Sequence, residues 1–425
     1  MDETTFAVLM LLVLAWAVTS YRLAKVNITG ALVFTVAGYL LGNPTWGALT
    51  VDVETSSIHL LAELTLALLL FSDAARVNLS QLRRDIYVPA RLLGIGLPLS
   101  VILGSLLAAW MFDDFTWALA GFVGATLAPT DAALSAQVIN DERIPLRLRR
   151  ALNVESGLND GIATPIVVFM LAATASQLGM ESHGDSAEAR ALVELALGVV
   201  VGVAVGLGSS VVIAFGSRRR WIIHGGRRLA TLAAALASFA LAVTLDGNGF
   251  IAAFVAGIAF GAGLPADVAE VEDVAELPEL VGELLAIGVW FLFGAALVPV
   301  ALDYLSVTTV VYAALSLTVI RMVPVAISLV GTGLDRWTVL FVGWFGPRGL
   351  ASVVFALLAI EELHESPVVG PAIAVVALTV LSSVVLHGVS AGPLGGRYIS
   401  EEAKADPADV PRSRRSGGSH GPEAE

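Results

Sequence analysis

The feature that most constrains this chain is its succession of apolar runs. A membrane span needs about 20 predominantly apolar residues. Such runs recur from end to end, at about 5–21, 28–42, 57–75, 87–110, 116–138, 151–175, 190–215, 227–245, 249–264, 282–300, 304–330, 337–360 and 367–391. Backbone groups in lipid must be satisfied within the segment, so runs of this length read as helices. The pattern predicts an all-α polytopic membrane protein of about 13 transmembrane helices. Only 14% of the residues are charged, against about 25% in soluble domains, and no polar stretch is long enough to be a soluble domain. The expected division is a transmembrane domain over 1–396 and a cytoplasmic tail over 397–425, rich in Pro, Gly, Ser and charge and therefore read as disordered. The start, Met1-Asp2-Glu3-Thr4-Thr5, is acidic and lacks the basic region of a secretory signal, so the first run reads as a retained span. There is no cysteine, which removes disulfides, thiol chemistry and Cys-ligated metals.

Charges between the runs give an orientation. With the N-terminus outside, the inner loops carry Arg22 and Lys25, then Arg76, Arg83 and Arg84, then Arg143 to Arg150, then Arg218 to Arg228, and Arg336. The outer loops carry Asp52, Glu54, Asp113, Asp114, Glu181, Asp185, Glu361 and Glu362, with Arg190 their single basic residue. This follows the positive-inside rule and places the tail inside. The inner stretch Asp267–Glu279 is strongly acidic. Acidic residues have little weight in that rule, so the orientation stands. The tail arginines Arg412, Arg414 and Arg415 could touch anionic lipid.

Thirteen spans suit two inverted six-helix repeats about a linking seventh span, an arrangement that puts a transport site on interrupted helices near the midplane. Span five should then pair with span twelve. Both carry a proline inside the apolar run, in Leu127-Ala128-Pro129-Thr130-Asp131 and in Gly346-Pro347-Arg348-Gly349. Proline removes a helix hydrogen bond, and a charged residue stands beside each break.

The densest polar interruption is Asn153-Val154-Glu155-Ser156-Gly157-Leu158-Asn159-Asp160-Gly161, followed directly by Ile166-Val167-Val168-Phe169-Met170-Leu171. Ionisable groups inside a span are functional-site candidates. Glu155 and Asn159 share one helix face, and Ser156 and Asp160 share another. These oxygens suit a hard cation. Taking a carboxylate out of water makes its charge costly, so a proton and a cation compete to neutralise it. A scaffold that changes its open side only when filled would turn that competition into exchange. The plainer reading of Asp160 is a salt-bridged packing residue. Arg321 and Arg348 are the arginines deepest in apolar runs, and each needs a carboxylate or a helix break. A Glu155–Arg348 pair would leave Asp160 for substrate, while Arg321 could instead staple helices. Asp73 could add a carboxylate to the cation path, or pair with Arg76 at i, i+3. Glu63 has no assigned role. His387 is either a pH sensor or a packed neutral histidine. Gly202, Gly206 and Gly208 suit close helix packing.

At these residues the sequence resembles the monovalent cation:proton antiporter family, in the branch of the NhaP-type sodium/proton antiporters. Glu155-Ser156-Gly157-Leu158-Asn159-Asp160 is similar to the family's Glu-x-x-x-Asn-Asp signature, Thr130-Asp131 to its Thr-Asp on an unwound helix, and Gly346-Pro347-Arg348-Gly349 to its arginine motif on the opposite broken helix. Ala132 stands where that pattern commonly has proline. The resemblance implies that Asp160 binds cation and proton alternately. It implies that Asp131, Thr130 and Ser156 complete the site for a monovalent metal ion, and that Glu155 pairs with Arg348. It implies a homodimer and, through Asn159, an electroneutral exchange of one cation per proton. The expectation is therefore a sodium/proton antiporter of the cell membrane with no cofactor, no catalysis of a chemical reaction and no nucleic-acid partner. Potassium/proton exchange is the alternative. A cation channel is disfavoured because no filter-like repeat is present.

Overall fold

The computed structural model describes residues 3–25, 27–49, 55–77, 86–139, 141–179, 187–363 and 366–405. Arg83, Arg84, Asp52, Glu54, Glu181, Asp185 and the tail over 406–425 lie outside the described residues. Every regular element among them is helical. Among the described residues nine helices are long and apolar enough to cross a membrane, and the apolar helices Gly30–Gly42, Trp117–Thr126 and Gly249–Gly263 are shorter. In chain order the main helices are α1 Glu3–Ala24, α2 Gly30–Gly42, α3 Ser56–Arg76, α4 Tyr87–Met111, α5 Trp117–Thr126, α6 Leu146–Gln177 and α7 Ala187–Arg218. There follow α8 His224–Thr244, α9 Gly249–Gly263, α10 Glu276–Asp303, α11 Val307–Ser328, α12 Arg336–Trp344, α13 Leu350–Leu363 and α14 Val369–Ala405.

Local chemistry sets several of these boundaries. Thr116, Asn248 and Asp335 cap α5, α9 and α12, their side-chain oxygens accepting backbone N–H groups of the first turn. The helix of span five, expected over 116–138, ends at Thr126, and the chain continues non-helically past Pro129 to a short helical turn, Ala136–Ile139. Span twelve is likewise interrupted, between Trp344 and Leu350. A proline disfavours helical backbone at the residue before it, and Pro129 and Pro347 each lie inside a break. α14 runs on to Ala405, past the boundary expected at 396.

Two groups of helices share one core. α2, α3, α8, α9 and α10 pack together, and α4, α5, α6, α11, α13 and α14 form the second group. Across the seam α3 touches α6 and α13, and α10 touches α13 and α14; α7 lies along α8 and α9. Gly198, Gly202 and Gly206 of α7 sit against the α9 chain, which lets the backbones approach. Gly208, expected to pack with them, faces open space.

The acidic stretch 267–279 has a physical account. Arg218 pairs with Asp267 at 3.4 Å, and Arg228 pairs with Asp273 at 2.6 Å and Glu276 at 2.5 Å. His224 reaches Asp273 at 2.8 Å, and Arg227 donates to the Val268 carbonyl at 2.6 Å. The acidic loop is thus clasped by the basic loop that joins α7 to α8, and the two lie on the same side. The hydrogen bond from Arg228 holds the Asp273 carboxyl below the usual carboxylate range.

Candidate functional site

The two breaks meet. The Asp131 N–H donates to the Pro347 carbonyl at 2.8 Å. Arg348 Nη1 donates to the carbonyls of Ala128 at 2.6 Å and Pro129 at 3.2 Å. The Ser352 hydroxyl donates to the Thr126 carbonyl at 2.7 Å. Each break frees backbone groups that cannot stay unpaired in a membrane interior, and each supplies partners to the other. Gly349 makes the contact possible, because a Cβ there would collide with the Asp131 carboxylate.

Asp131 is held on three sides. Its Oδ1 accepts the N–H of Ala133 at 2.8 Å and of Leu134 at 3.1 Å, and its Oδ2 accepts the N–H of Leu350 at 3.0 Å. α6 passes alongside and presents Glu155, Ser156, Asn159 and Asp160. Asn159 Nδ2 donates to Thr130 Oγ1 at 2.7 Å and to the Thr130 carbonyl at 3.3 Å, and Thr130 Oγ1 lies 3.1 Å from Ser156 Oγ. Thr130 and Asn159 are almost fully buried. They brace the unwound segment from behind and are not among the residues lining the cavity.

That cavity, of about 590 Å³, is lined at its inner end by Asp73, Asp131, Ser156 and Asp160. Its mouth carries Arg147, Arg150, Glu272, Glu279 and Glu283. Asp131 and Asp73 are close enough for their charges to act on Asp160, and Asp131 for its charge to act on Asp73. The Asp160 carboxylate makes no hydrogen bond or ion pair among the described residues, and it faces the cavity. The α6 backbone beside it stays regular, with the Thr164 hydroxyl bonded to the Asp160 carbonyl at 2.6 Å.

The charge pairs differ from expectation in two places. Glu155 pairs with Arg321, not Arg348: Glu155 Oε1 lies 2.5 Å from Arg321 Nη1, both residues being buried. Arg348 is engaged by the carbonyls of the first break and by the Ser316 carbonyl at 3.3 Å. α11 is distorted at Thr318, with φ −114° and ψ −86°. The distortion lies between Ser316, whose carbonyl accepts from Arg348, and Arg321. The pair with Arg76, the alternative reading of Asp73, does not form either. Arg76 makes a bidentate pair with Glu279 of α10, leaving Asp73 to face the cavity. The cavity lining carries Asp73, Asp131, Asp160, Glu272, Glu279 and Glu283 against Arg76, Arg147 and Arg150. The excess is negative, which favours a bound cation or proton. Among the described residues there is no cluster of His, Cys, Asp and Glu of the kind that holds a transition metal.

Sequence reasoning did not single out Glu283, Ser352 or Ser383. Glu279 and Glu283 stand at i, i+4 on the first turns of α10, a spacing readable in the sequence. An isolated serine in an apolar run, such as Ser352 or Ser383, carries no such signal.

Residues 8–395 match the family described as sodium/hydrogen exchanger, transmembrane. The chain is 25% identical over 330 residues to a K(+)/H(+) antiporter NhaP of Alkalimonas amylolytica, covering 77% of this chain and 55% of that protein. It is 23% identical over 321 residues to a Na(+)/H(+) antiporter of Schizosaccharomyces pombe, covering 68% of each. The chain spans about half the length of the bacterial NhaP relatives it matches. In fold it is similar to the sodium proton antiporter MjNhaP1 of Methanocaldococcus jannaschii, with a TM-score of 0.75 at 18% identity, over 93% of this chain and 99% of that one.

Proposed function

The chain belongs to the sodium/hydrogen exchanger family, and on that premise we propose that it is a cell-membrane antiporter exchanging a monovalent cation, sodium in the first reading, for a proton at Asp160. The observation that carries this reading is the contrast between two neighbouring carboxylates. Asp131 has its oxygens taken up by three backbone N–H groups, whereas Asp160 faces the cavity with no hydrogen bond among the described residues. A carboxylate with fixed donors keeps its place. One without them takes its counter-charge from whatever enters, a cation or a proton. Asp73 and Ser156 supply further oxygens to the ion. Thr130 and Asn159 hold the unwound segment that carries Asp131. Asn159 adds no charge, which suits one cation per proton.

The protein crosses the membrane about 13 times as two inverted six-helix halves, with the N-terminus outside and the cavity mouth and tail inside. Alternating access moves the helices bearing the two breaks relative to α3 and α10, within a homodimer embedded in lipid. The arginines at the cavity mouth support that orientation. Potassium is the second reading for the cation, favoured by the relatives named K(+)/H(+) antiporters.

The test is proton flux in everted vesicles driven by sodium, lithium or potassium over a pH series. Asp160→Asn is expected to abolish cation-dependent flux with all three ions while the protein inserts in normal amount. Flux retained in a well-inserted Asp160→Asn variant would sink the mechanism.

A further inference from the structure

α14 passes beside the second break and sends three side chains to it, Ser383, His387 and Ser390, spaced i, i+4, i+7 on one face. At the break, α12 ends with Trp344 and α13 starts at Leu350, and the backbone groups at both ends lack helical partners. His387 Nε2 lies 2.8 Å from the Trp344 carbonyl oxygen. The Arg348 N–H donates to Ser383 Oγ at 2.7 Å. A carbonyl only accepts, so the tautomer that bonds Trp344 carries its proton on Nε2. His387 Nδ1 then lies 3.3 Å from Ser383 Oγ and accepts its hydroxyl proton, which leaves the serine oxygen free to accept from Arg348. The same nitrogen is 2.9 Å from the Ser383 carbonyl, the acceptor it would meet if it carried the proton instead. The indole of Trp344 stacks on the imidazole with centroids 5.1 Å apart and donates from Nε1 to Ser390 Oγ at 2.9 Å.

One chain of hydrogen bonds thus joins the carbonyl that closes α12 to the N–H of Arg348, three residues past Phe345. We propose that Ser383 and His387 are positioning residues that splint this break and keep Arg348 and Leu350 in register with the cation site. Arg348 holds the carbonyls of Ala128 and Pro129, and the Leu350 N–H holds Asp131 Oδ2. A shift of 345–349 would therefore reach Asp131 directly. This rests on the reading that Asp131 and Asp160 receive the ion. The plainer role for His387, filling space against Trp344, would need only an apolar group of similar size.

The test uses the full chain in proteoliposomes, with sodium-driven proton flux resolved into KM and kcat for wild type, Ser383→Ala, His387→Leu and His387→Gln. Glutamine can still present an N–H to the Trp344 carbonyl, and leucine keeps only the packing. Ser383→Ala and His387→Leu are expected to raise KM for sodium about tenfold, equivalent to about 1.4 kcal/mol, with kcat and folded yield near those of wild type. His387→Gln is expected to stay close to wild type. Unchanged KM in Ser383→Ala and His387→Leu overturns the proposal. So does loss of folded yield with unaltered kinetics, which marks a purely structural role, or equal impairment in the glutamine and leucine variants. A wild type without sodium- or potassium-dependent flux overturns the antiport reading and this proposal with it.

Discussion

Glu155 and Arg321 form a buried ion pair at 2.5 Å, and the value of such a pair is asymmetric. Removing one partner strands a charge and costs about 3–5 kcal/mol, whereas replacing both by apolar groups of similar volume can be neutral. Arg321→Ala is therefore expected to lose folded yield and melting temperature in detergent, and a Glu155→Leu, Arg321→Met double variant to recover much of both. A double variant no more stable than Arg321→Ala would mean that the pair is not what α6 and α11 depend on. The polar cluster of α6 was readable because carboxylates and an amide are costly in an apolar run. Which arginine answers Glu155 was not readable. That choice turns on Arg348 being taken up by carbonyls from a break more than 200 residues away. Thr130 and Asn159 bond to each other and are not among the residues lining the cavity. Composition places oxygen atoms near the site but does not say which of them face the cavity.

The two breaks behave as one element made from distant pieces of chain. Pro129 and Pro347 marked them in the sequence, since a proline inside a span takes a hydrogen bond from the helix and clashes with the turn before it. Their mutual bonding needed the three-dimensional arrangement, because neither segment alone shows where its freed carbonyls go. Gly349 is the tightest point. Gly349→Ala would drive a methyl group into the Asp131 carboxylate, so it is expected to lower apparent cation affinity at least tenfold, a cost of about 1.4 kcal/mol or more, with insertion retained. Gly208→Ala is the control, since a Cβ there meets nothing within 4 Å and alanine favours helix. Equal affinities in the two variants would remove the argument that the breaks set the site. A second clasp, between Arg228 and Asp273, acts at the scale of loops. Because Asp273 is held below the usual carboxylate range, its pairing is present above that range and is lost only as the pH falls through the lowered value. Asp273→Asn is accordingly expected to leave the flux profile unchanged across neutral pH, and a displaced profile would show that the clasp takes part in transport.

At the scale of the molecule, the succession of apolar helices and the presence of a proline break in spans five and twelve were legible, since hydropathy and proline report on them directly. The packing of α3 and α10 against the helices of the site was not, because an apolar helix looks the same whichever neighbour it meets. Orientation can be measured simply in a chain without cysteine. A cysteine at Ala133, which lines the cavity, is expected to react with an impermeant thiol reagent applied from the side of Arg147 and Arg150, and to be slowed by the transported ion. Reaction only from the opposite side would reverse the assigned topology. The size of the cavity has a consequence for selectivity. Its volume of about 590 Å³ is many times the ~10–15 Å³ that a single water needs. The cavity therefore has room for an ion together with water, and on the proposed mechanism the last waters are shed against Asp160, Ser156 and their neighbours. On that reading the choice between sodium and potassium is made by how well those few oxygens replace the lost waters. Ser156→Ala should alter the ratio of sodium to potassium flux, while Arg147→Gln should change the rates of both ions together and leave their ratio where it was.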